Sequence, residues 1–131
     1  MTTNLSNESA RSKTPIGEAW VETGVLWHCI HPETLVSEEV ALATVKALAE
    51  FVGGMSLPAV VDIRGVQFAD RAARDVFARE MDHERATAIV VEGKVSRTLG
   101  NAYFRFSRPD RPTKMFTSQE EAQLWALSFV D

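Results

Sequence analysis

The sequence is poor in the residues and segments on which several protein classes depend. It has a single cysteine, Cys29, so an internal disulfide is excluded. No run of apolar residues approaches the roughly 18 that a membrane-spanning helix needs, and the polar segment 1–13 is not a secretory signal. We therefore expect a cytoplasmic protein in which Cys29, set in an apolar run, is a buried and unreactive thiol.

Length and composition indicate one globular domain. The chain has 131 residues, of which 45% are hydrophobic and 24% are charged, and it can bury a core without disulfides or metals. Residues 1–14 are rich in Thr, Ser and Asn and offer little to bury, so they are predicted to be a disordered tail. Residues 15–131 are predicted to form a single α/β domain.

Charge is unevenly distributed along the chain. The formal net charge is −4, which argues against a general nucleic-acid binder. Residues 63–117 nevertheless carry 11 basic and 7 acidic side chains, while the flanking segments are acidic. This middle segment is either a basic patch that faces a partner or a set of solvated helix faces whose arginines lie beside acids at helical spacing.

Two short apolar runs near the N-terminus predict a β-hairpin. Residues 18–22 and 25–31 are separated by the turn-forming pair Thr23-Gly24. Both faces of the second run are largely apolar, so this strand is predicted to be covered on both sides. We place the hairpin at an edge of the sheet. An apolar edge favours pairing with another chain, which leads us to expect a homodimer.

The centre of the sequence alternates between helix and strand patterns. Ser37 followed by two glutamates predicts a helix start, and Gly53-Gly54 predicts the end of that helix. The β-branched run 59–63 is typical of an interior parallel strand. Asp70 is the predicted N-cap of a second helix, whose apolar stripe reaches Met81.

The remaining pattern completes an α/β fold. Residues 86–92 are predicted to be a strand, Ser96 to start a third helix, and residues 113–116 to be a short strand. Thr117-Ser118-Gln119-Glu120 fits a capping box that opens the last helix. The predicted order is β-β-α-β-α-β-α-β-α. This alternation requires a mixed, mostly parallel sheet, reached by right-handed crossovers and flanked by helices.

The segment Val60–Asp70, a strand, a turn and a helix start, resembles the central motif of STAS domains. In that family, which has the SpoIIAA-like fold of anti-sigma-factor antagonists, an Asp-Leu-like pair ends a strand and a Gly/Asn-Val-x-Phe turn follows. Here these are Asp62-Ile63 and Gly65-Val66-Gln67-Phe68. The segments 96–101 and 116–125 are similar to uncharacterised small bacterial STAS/SEC14-like proteins. The resemblance spans about residues 16–130 and implies a STAS/SpoIIAA-like fold.

The resemblance also bears on regulation. Antagonists of this family are switched by phosphorylation of a serine just after the aspartate that begins the helix. Here Arg71, Ala72 and Ala73 follow Asp70, so these positions have no hydroxyl to phosphorylate. A phosphate would suit the helix N-terminus, whereas the positive charge of Arg71 opposes the helix dipole. We therefore expect a member that is not phospho-switched but that keeps this helix as a contact surface.

Candidate binding residues lie at the carboxyl end of the central strand and at the helix that follows it. Ligands bind at this end of parallel strands, so Asp62 and Arg64 are candidate pocket residues. Alternatively, Asp62 is a strand-end carboxylate paired with a nearby arginine or backbone amide. Asp70, Arg71 and Arg74 are candidates for the contact surface, and for Asp70 an N-cap is the simpler interpretation.

The most distinctive polar segment runs from Ser96 through Arg111 to Lys114. A serine at a helix start with an adjacent arginine is suited to an anion, and the interleaved aromatic residues allow base stacking. The alternative is a covering helix with solvated arginines and core aromatics. The candidate binding residues here are Ser96, Arg97, Asn101, Arg105 and Arg108.

The sequence shows no catalytic or metal-binding constellation. His28 and His31 lie three apart on one strand and face opposite sides, while His83 is remote, so three metal ligands do not converge. Cys29 and His31 share a strand face, but a core position accounts for both. We expect no cofactor.

These observations favour a non-enzymatic regulatory or protein-binding module of STAS-like fold. The alternative is a carrier for a small anionic ligand or a lipid, resembling SEC14-type domains. The expected partner is a protein or a small anion, and the charge argues against nucleic acid.

Overall fold

The computed structural model describes residues 10–131, and the predicted α/β class is confirmed. Along the chain the elements are β1 (Ser12–Thr14), β2 (Gly17–Glu22), β3 (Val25–Ile30), β4 (Thr34–Val36), α1 (Glu38–Val52), β5 (Leu57–Asp62), β6 (Val66–Ala69), α2 (Arg71–Arg79), β7 (Glu84–Val90), α3 (Gly93–Ala102), a π-helix (Tyr103–Ser107), β8 (Thr113–Phe116) and α4 (Gln119–Leu127).

Six strands form one mixed sheet in the order β1-β2-β3-β5-β7-β8. β1, β2 and β3 are antiparallel, whereas β3, β5, β7 and β8 run parallel to one another. β5 and β7 lie in the middle and are largely buried, as the apolar run of β5 predicts. The mixed, mostly parallel sheet expected from the sequence is therefore confirmed.

The two faces of this sheet are covered unequally. On one face, which we call the three-helix face, Leu26 and Ala59 pack against Leu48 of α1, and Ile89 packs against Ala78 of α2. α3 lies on the same side, where Gly100 approaches Met115 of β8. The other face is covered in part by α4, through contacts among Ala122, Ala126, Val25, Val60 and Val90.

The part of the second face that α4 does not cover overturns one prediction. Cys29 was expected to be buried, but it is exposed. Only the first half of β3 lies beneath α4, so the prediction that this strand is covered on both sides is wrong at its C-terminal end. The same face carries the stacked rings of Trp20 and Trp27, with centroids 5.9 Å apart, and Arg11 lies 3.9 Å above the Trp20 ring.

β4 and β6 form a separate parallel pair, which we call the ribbon, and the sequence interpretation treated its second strand as a turn. Each strand ends just before a helix, so the ribbon holds the N-termini of α1 and α2 side by side. Ser37 Oγ accepts from the Val40 N–H at 3.3 Å. Asp70 Oδ1 accepts from the Ala73 N–H at 2.8 Å, which confirms Asp70 as an N-cap.

Gly65 fixes the ribbon to the end of β3. A Cβ atom at this position would collide with the backbone carbonyl oxygens of Ile30 and His31. The same tight approach lets the Gly65 carbonyl accept a hydrogen bond from the Thr34 N–H at 3.0 Å. A glycine is therefore required here, because any side chain would prevent the two backbone segments from approaching so closely.

Three boundaries differ from the prediction. Residues 12–14 were assigned to a disordered tail, but they pair with β2 as β1, because backbone hydrogen bonds can hold a polar strand that buries little; residues 1–9 of that tail lie outside the described residues. Ser96 does not start α3, which begins at Gly93. The last helix is capped by Ser118, whose Oγ accepts from the Glu121 N–H, one residue after the predicted capping position.

The predicted edge position of the β2–β3 hairpin is right only in part. β1 pairs with β2 along residues 17–19, whereas residues 20–22 of β2 have no strand beyond them among residues 10–131; β8 forms the opposite edge of the sheet. Homodimerisation stays a prediction. No helix within residues 10–131 combines the length and the apolar character needed to cross a membrane.

Candidate functional site

Asp62 and Arg64 come together at the carboxyl end of β5. The Asp62 carboxylate accepts hydrogen bonds from the Arg64 backbone N–H (3.0 Å), Nε (2.9 Å) and Nη2 (2.7 Å). Gln119 Nε2 donates to the same carboxylate at 3.4 Å. The hydrogen-bonded carboxylate raises the pKa of Arg64 above its ordinary value. Asp62 is buried and fully engaged, so this arrangement is the strand-end pair that was the alternative to a pocket.

Asp70, Arg71 and Arg74 have three different environments. Asp70 is the N-cap of α2. The Arg71 side chain is 71% exposed and lies 4.0 Å from Asp75. Arg74 Nη1 donates to the Ala69 carbonyl at 2.7 Å, which ties α2 to the ribbon. Of the three, Arg71 is therefore the residue at the open surface.

The candidate residues of the Ser96–Arg108 segment do not converge on one site. Ser96 is 2% exposed, and its Oγ donates to the Glu92 carbonyl and accepts from the Glu92 N–H, each at 2.7 Å. Its predicted place at an anion site is wrong, because this side chain lies within the helix and bonds to its own first turn. Arg97 and Asn101 are exposed and line an open groove. The lining of that groove does not include Arg105 or Arg108, which are also exposed.

Sequence reasoning missed a buried ion pair between β7 and the segment before β8. Glu84 is fully buried, and Arg111 Nη2 lies 3.6 Å from its Oε1, with 6% of the Arg111 side chain exposed. Thr87 joins the two residues, because its Oγ1 donates to Glu84 Oε1 (2.6 Å) and accepts from Arg111 Nε (2.7 Å). Arg111 is therefore neither a solvated arginine nor part of an anion site.

The rest of the Arg111 guanidinium binds two main-chain carbonyls, a phenol and the exposed Asp110 carboxylate, to which Nη1 donates at 3.1 Å. Nη2 donates to the Phe77 carbonyl (2.9 Å) and the Tyr103 hydroxyl (3.1 Å), and Nη1 donates to the Ala78 carbonyl (3.2 Å). The Tyr103 hydroxyl donates in turn to the Phe77 carbonyl at 3.0 Å. Arg111 thereby joins the end of α2, the π-helix and β7. We call these residues, with Glu84 and Thr87, the Arg111 network.

Burial governs the electrostatics of the Arg111 network. Burial raises the pKa of the Glu84 carboxyl, although the charge of Arg111 and the Thr87 hydrogen bond act in the opposite direction. Burial also raises the pKa of Tyr103 to about 12. His83 Nε2 lies 4.0 Å from Glu84 Oε2, but burial lowers the pKa of His83. An uncharged His83 does little to stabilise the Glu84 carboxylate, so the main counter-charge of Glu84 is Arg111.

A small cavity of about 100 Å³ lies between the sheet and the helices that cover its three-helix face. Its walls are almost entirely apolar and include Ile30, Val61, Phe77 and Ile89, while the Arg111 network borders one side. Pockets for drug-sized ligands are roughly 300–1,000 Å³. The cavity therefore accommodates a guest of a few heavy atoms, and a lipid would require the helices to move.

His28 is a titratable group on the wall of this cavity. It is 3% exposed, and its Nε2 lies 2.9 Å from Thr14 Oγ1. Burial, and to a smaller extent the nearby His31 and His83, lower the pKa of His28 to about 4. The imidazole is therefore neutral in the folded protein near pH 7. Within residues 10–131, no three His, Cys, Asp or Glu side chains are placed to hold a metal ion together.

The ribbon presents an exposed apolar pair that sequence reasoning did not single out. Leu35 of β4 lies opposite Phe68 of β6, and they are 65% and 55% exposed. Arg71 follows at the start of α2. We call Leu35, Phe68 and Arg71 the ribbon surface. The alternation in Val66-Gln67-Phe68-Ala69 was a usable signal, but the turn motif concealed it.

The architecture identifies the class of fold, and comparisons with known proteins agree with it. An uncharacterised protein of the DUF3478 family with a SpoIIAA-like fold, from Shewanella loihica PV-4, superimposes with a TM-score of 0.55. The two chains are 14% identical over 89% of this chain and 90% of the other. The predicted SpoIIAA-like fold is therefore confirmed.

The family is shown by a second comparison. Residues 19–130 match the model of a family described as a domain of unknown function, DUF7793, and the chain belongs to that family. No functionally curated protein matches the chain. Neither comparison brings an activity, so function has to be argued from the surfaces described above.

The Arg111 network predicts that losing Arg111 alone destabilises the protein more than losing the charges of both Arg111 and Glu84. Arg111→Met leaves the Glu84 carboxylate buried without a counter-charge, which should lower the free energy of unfolding by about 3–5 kcal/mol. Adding Glu84→Gln should restore part of the loss. Urea unfolding at pH 7 measures both. Arg108→Met, at an exposed arginine three residues away, is the control and should change the free energy by less than about 0.5 kcal/mol. Equal effects at the two arginines would contradict the network.

His28 predicts a pH dependence of stability. Because the folded-state pKa is about 4 and the unfolded value is 6.5, the unfolded chain binds more protons between these pH values. The stabilising contribution is fully present above pH 6.5 and is lost as the pH falls through 4, with a total of about 3 kcal/mol. Urea unfolding in steps from pH 7 to pH 4 should show a shallower decline in His28→Gln. The decline in His31→Gln should stay close to that of the parent protein, because His31 makes only a minor contribution to the lowered pKa of His28. Equal declines in His28→Gln and the parent protein would refute this role.

Proposed function

We propose that the protein is a non-enzymatic regulatory module that binds another protein through the ribbon surface. The observation that carries this proposal is the adjacent placement of Leu35 and Phe68, both more than half exposed. Isolated apolar side chains are common at protein surfaces, whereas contiguous exposed apolar surface rimmed by polar residues marks interaction sites. Arg71, three residues after Phe68 in the chain, adds an exposed cation at the start of α2.

The ribbon surface is also rigid, which favours binding. At the start of the ribbon, Gly65 packs against β3 and its carbonyl accepts from the Thr34 N–H. At the end of the ribbon, the Asp70 N–H donates to the Val36 carbonyl at 3.3 Å. A surface that is already ordered loses less conformational entropy when a partner binds. Burial of one leucine and one phenylalanine side chain contributes roughly 1.5–3 kcal/mol each. These two residues can therefore supply a substantial share of the affinity of a modest interface.

The mode of regulation follows from the start of α2. The STAS resemblance implies a partner-contacting helix at this position, and the ribbon surface includes its first residue. Arg71, Ala72 and Ala73 offer no hydroxyl, so we infer that binding does not depend on phosphorylation there. The partner is expected to present an apolar patch flanked by carboxylates that face Arg71.

The ribbon surface predicts the outcome of partner capture. The double variant Leu35→Ser with Phe68→Ser should reduce the recovery of specific partners from an extract of the source organism by at least tenfold, because two apolar contacts are removed. Quantitative mass spectrometry of the captured proteins measures the change. Leu124→Ser, at a leucine that is 68% exposed on α4, is the matched control and should retain them. An unchanged set of partners in the double variant would exclude this surface.

We propose small-ligand binding as a second candidate function, supported by the cavity of about 100 Å³. Its apolar wall favours a compact apolar guest over the anion or lipid first considered. A dry apolar cavity binds such molecules because they recover dispersion contacts that the empty cavity lacks.

Benzene is a suitable probe for the cavity. At ten times its dissociation constant it should stabilise the protein by about 1.4 kcal/mol, measured as a shift in the urea midpoint. Ala69→Val adds volume to the cavity wall and should diminish the effect, whereas Ala72→Val, at an exposed position, should preserve it. Equal stabilisation of both variants, or none of the parent protein, would count against a ligand site here.

A further inference from the structure

β8 is the outer strand of the six-stranded sheet, so one of its backbone edges has no neighbouring strand among residues 10–131. The Thr87 N–H donates to the Pro112 carbonyl and the Val91 N–H to the Phe116 carbonyl, each at 2.9 Å. In a parallel ladder alternate residues face the partner strand. Residues 112, 114 and 116 therefore face β7, and Thr113 and Met115 direct their N–H and C=O groups outward.

An open groove lies beside the C-terminal part of β8, between α3 and α4, and its lining includes residues 114–117 and Val91. On the three-helix face, its wall carries Arg97 and Asn101 from α3, above Met115. On the other face lie Lys114 and Phe116 of β8 and Glu121 of α4. Lys114 Nζ is 5.5 Å from the centroid of the Phe116 ring. The three-helix side of the groove thus presents a cation and an amide without an acidic residue among its lining.

The two cations of the groove are available to a partner. Arg97 and Lys114 are both exposed, and neither takes part in the ion pairs formed among residues 10–131. Most other arginines of the middle segment, including Arg64, Arg71, Arg79, Arg85 and Arg111, do form such pairs. Among the residues that line the groove, two cations therefore stand against one acid, Glu121, which lies on the Lys114 side.

We propose that β8 binds an extended acidic segment of another protein as a seventh strand of the sheet. Main-chain hydrogen bonds to Thr113 and Met115 supply affinity, and alternate side chains of the segment supply specificity. Because successive side chains of a strand point to opposite faces, every second residue of the bound segment faces Arg97 and Asn101. Those residues are acidic, and the intervening residues lie on the Lys114 and Phe116 side.

A second copy of this chain is a poorer occupant. In a two-fold symmetric, antiparallel pairing of β8 with itself, the same surface patch meets on both subunits. Arg97 would then approach the Arg97 of the other copy on the same sheet face. Like charges placed together oppose association, whereas a carboxylate at that position is attracted. The charge of the groove therefore selects an acidic partner over self-association.

This site is separate from the ribbon surface, and binding here does not depend on the proposed function. A fluorescein-labelled seven-residue peptide of alternating glutamate and valine is the probe, and its binding to the full chain is measured by fluorescence anisotropy. Arg97→Glu should weaken binding at least tenfold. Lys46→Glu, which makes the same charge change on an exposed lysine of α1, should leave it within threefold. The Leu35→Ser with Phe68→Ser variant should bind as the parent protein does.

Two further readouts separate strand addition from simple charge attraction. A peptide of the same composition, with its glutamates and valines in separate blocks, should bind at least tenfold more weakly. At saturating peptide, exchange of the Met115 amide hydrogen should slow at least tenfold. Equal binding of the block peptide, equal weakening by Lys46→Glu, or unchanged exchange at Met115 would overturn the proposal. Light scattering that shows dimerisation blocked by Arg97→Glu would make a second copy the occupant and would also overturn it.

Discussion

The buried contact between Glu84 and Arg111 is the interaction on which much of the arrangement depends. Desolvating two charges is costly, and the cost is offset here because nearly every donor of the guanidinium has an acceptor. The acceptors belong to different parts of the chain: β7, the last turn of α2 and the π-helix. One side chain thus fixes the position of the chain just before β8 begins.

That placement has consequences for both proposed surfaces. Arg111 joins the C-terminal turn of α2 to β7 and the π-helix, and the Asp70 N–H joins the start of α2 to the Val36 carbonyl of the ribbon. β8 follows Arg111 within two residues, and its register against β7 is set by the same anchor. The interior of the protein is therefore rigid where its two candidate contact surfaces need support. Such support is a requirement for precise recognition.

Some of the fold could be predicted from sequence because local and global preferences agree. The Ser37 and Asp70 caps, the Gly53 helix end and the apolar run of β5 each carry a signal that needs no knowledge of the rest of the chain. The alternative in which Asp62 pairs with a nearby arginine also needed only local sequence, because Arg64 is two residues away. β1 was missed because its three residues are polar and carry no apolar pattern. Backbone pairing with β2 is what orders them.

Most of the errors at the candidate site have a common cause. Burial of a polar or charged residue depends on what the rest of the fold places around it. Arg111 stands among exposed arginines in the sequence, yet it meets Glu84, which is 27 positions earlier in the chain. Cys29 stands among apolar residues, yet α4 is too short to reach it. Ser96 has the chemistry of a cap, but the helix had already begun at Gly93. The surroundings of Arg111 and Cys29 are not encoded within a local window, whereas the error at Ser96 is a local one about where the helix begins.

The close approach at Gly65 has a counterpart at a second glycine. A Cβ at Gly17 would collide with the Cys29 carbonyl, as one at Gly65 would with the carbonyls of Ile30 and His31. Both glycines press against the same short stretch of backbone from opposite sides. These two positions of the chain therefore admit no side chain unless the backbone at the end of the third strand moves away. The closeness of three backbone segments at this point thus depends on two residues that are 48 positions apart.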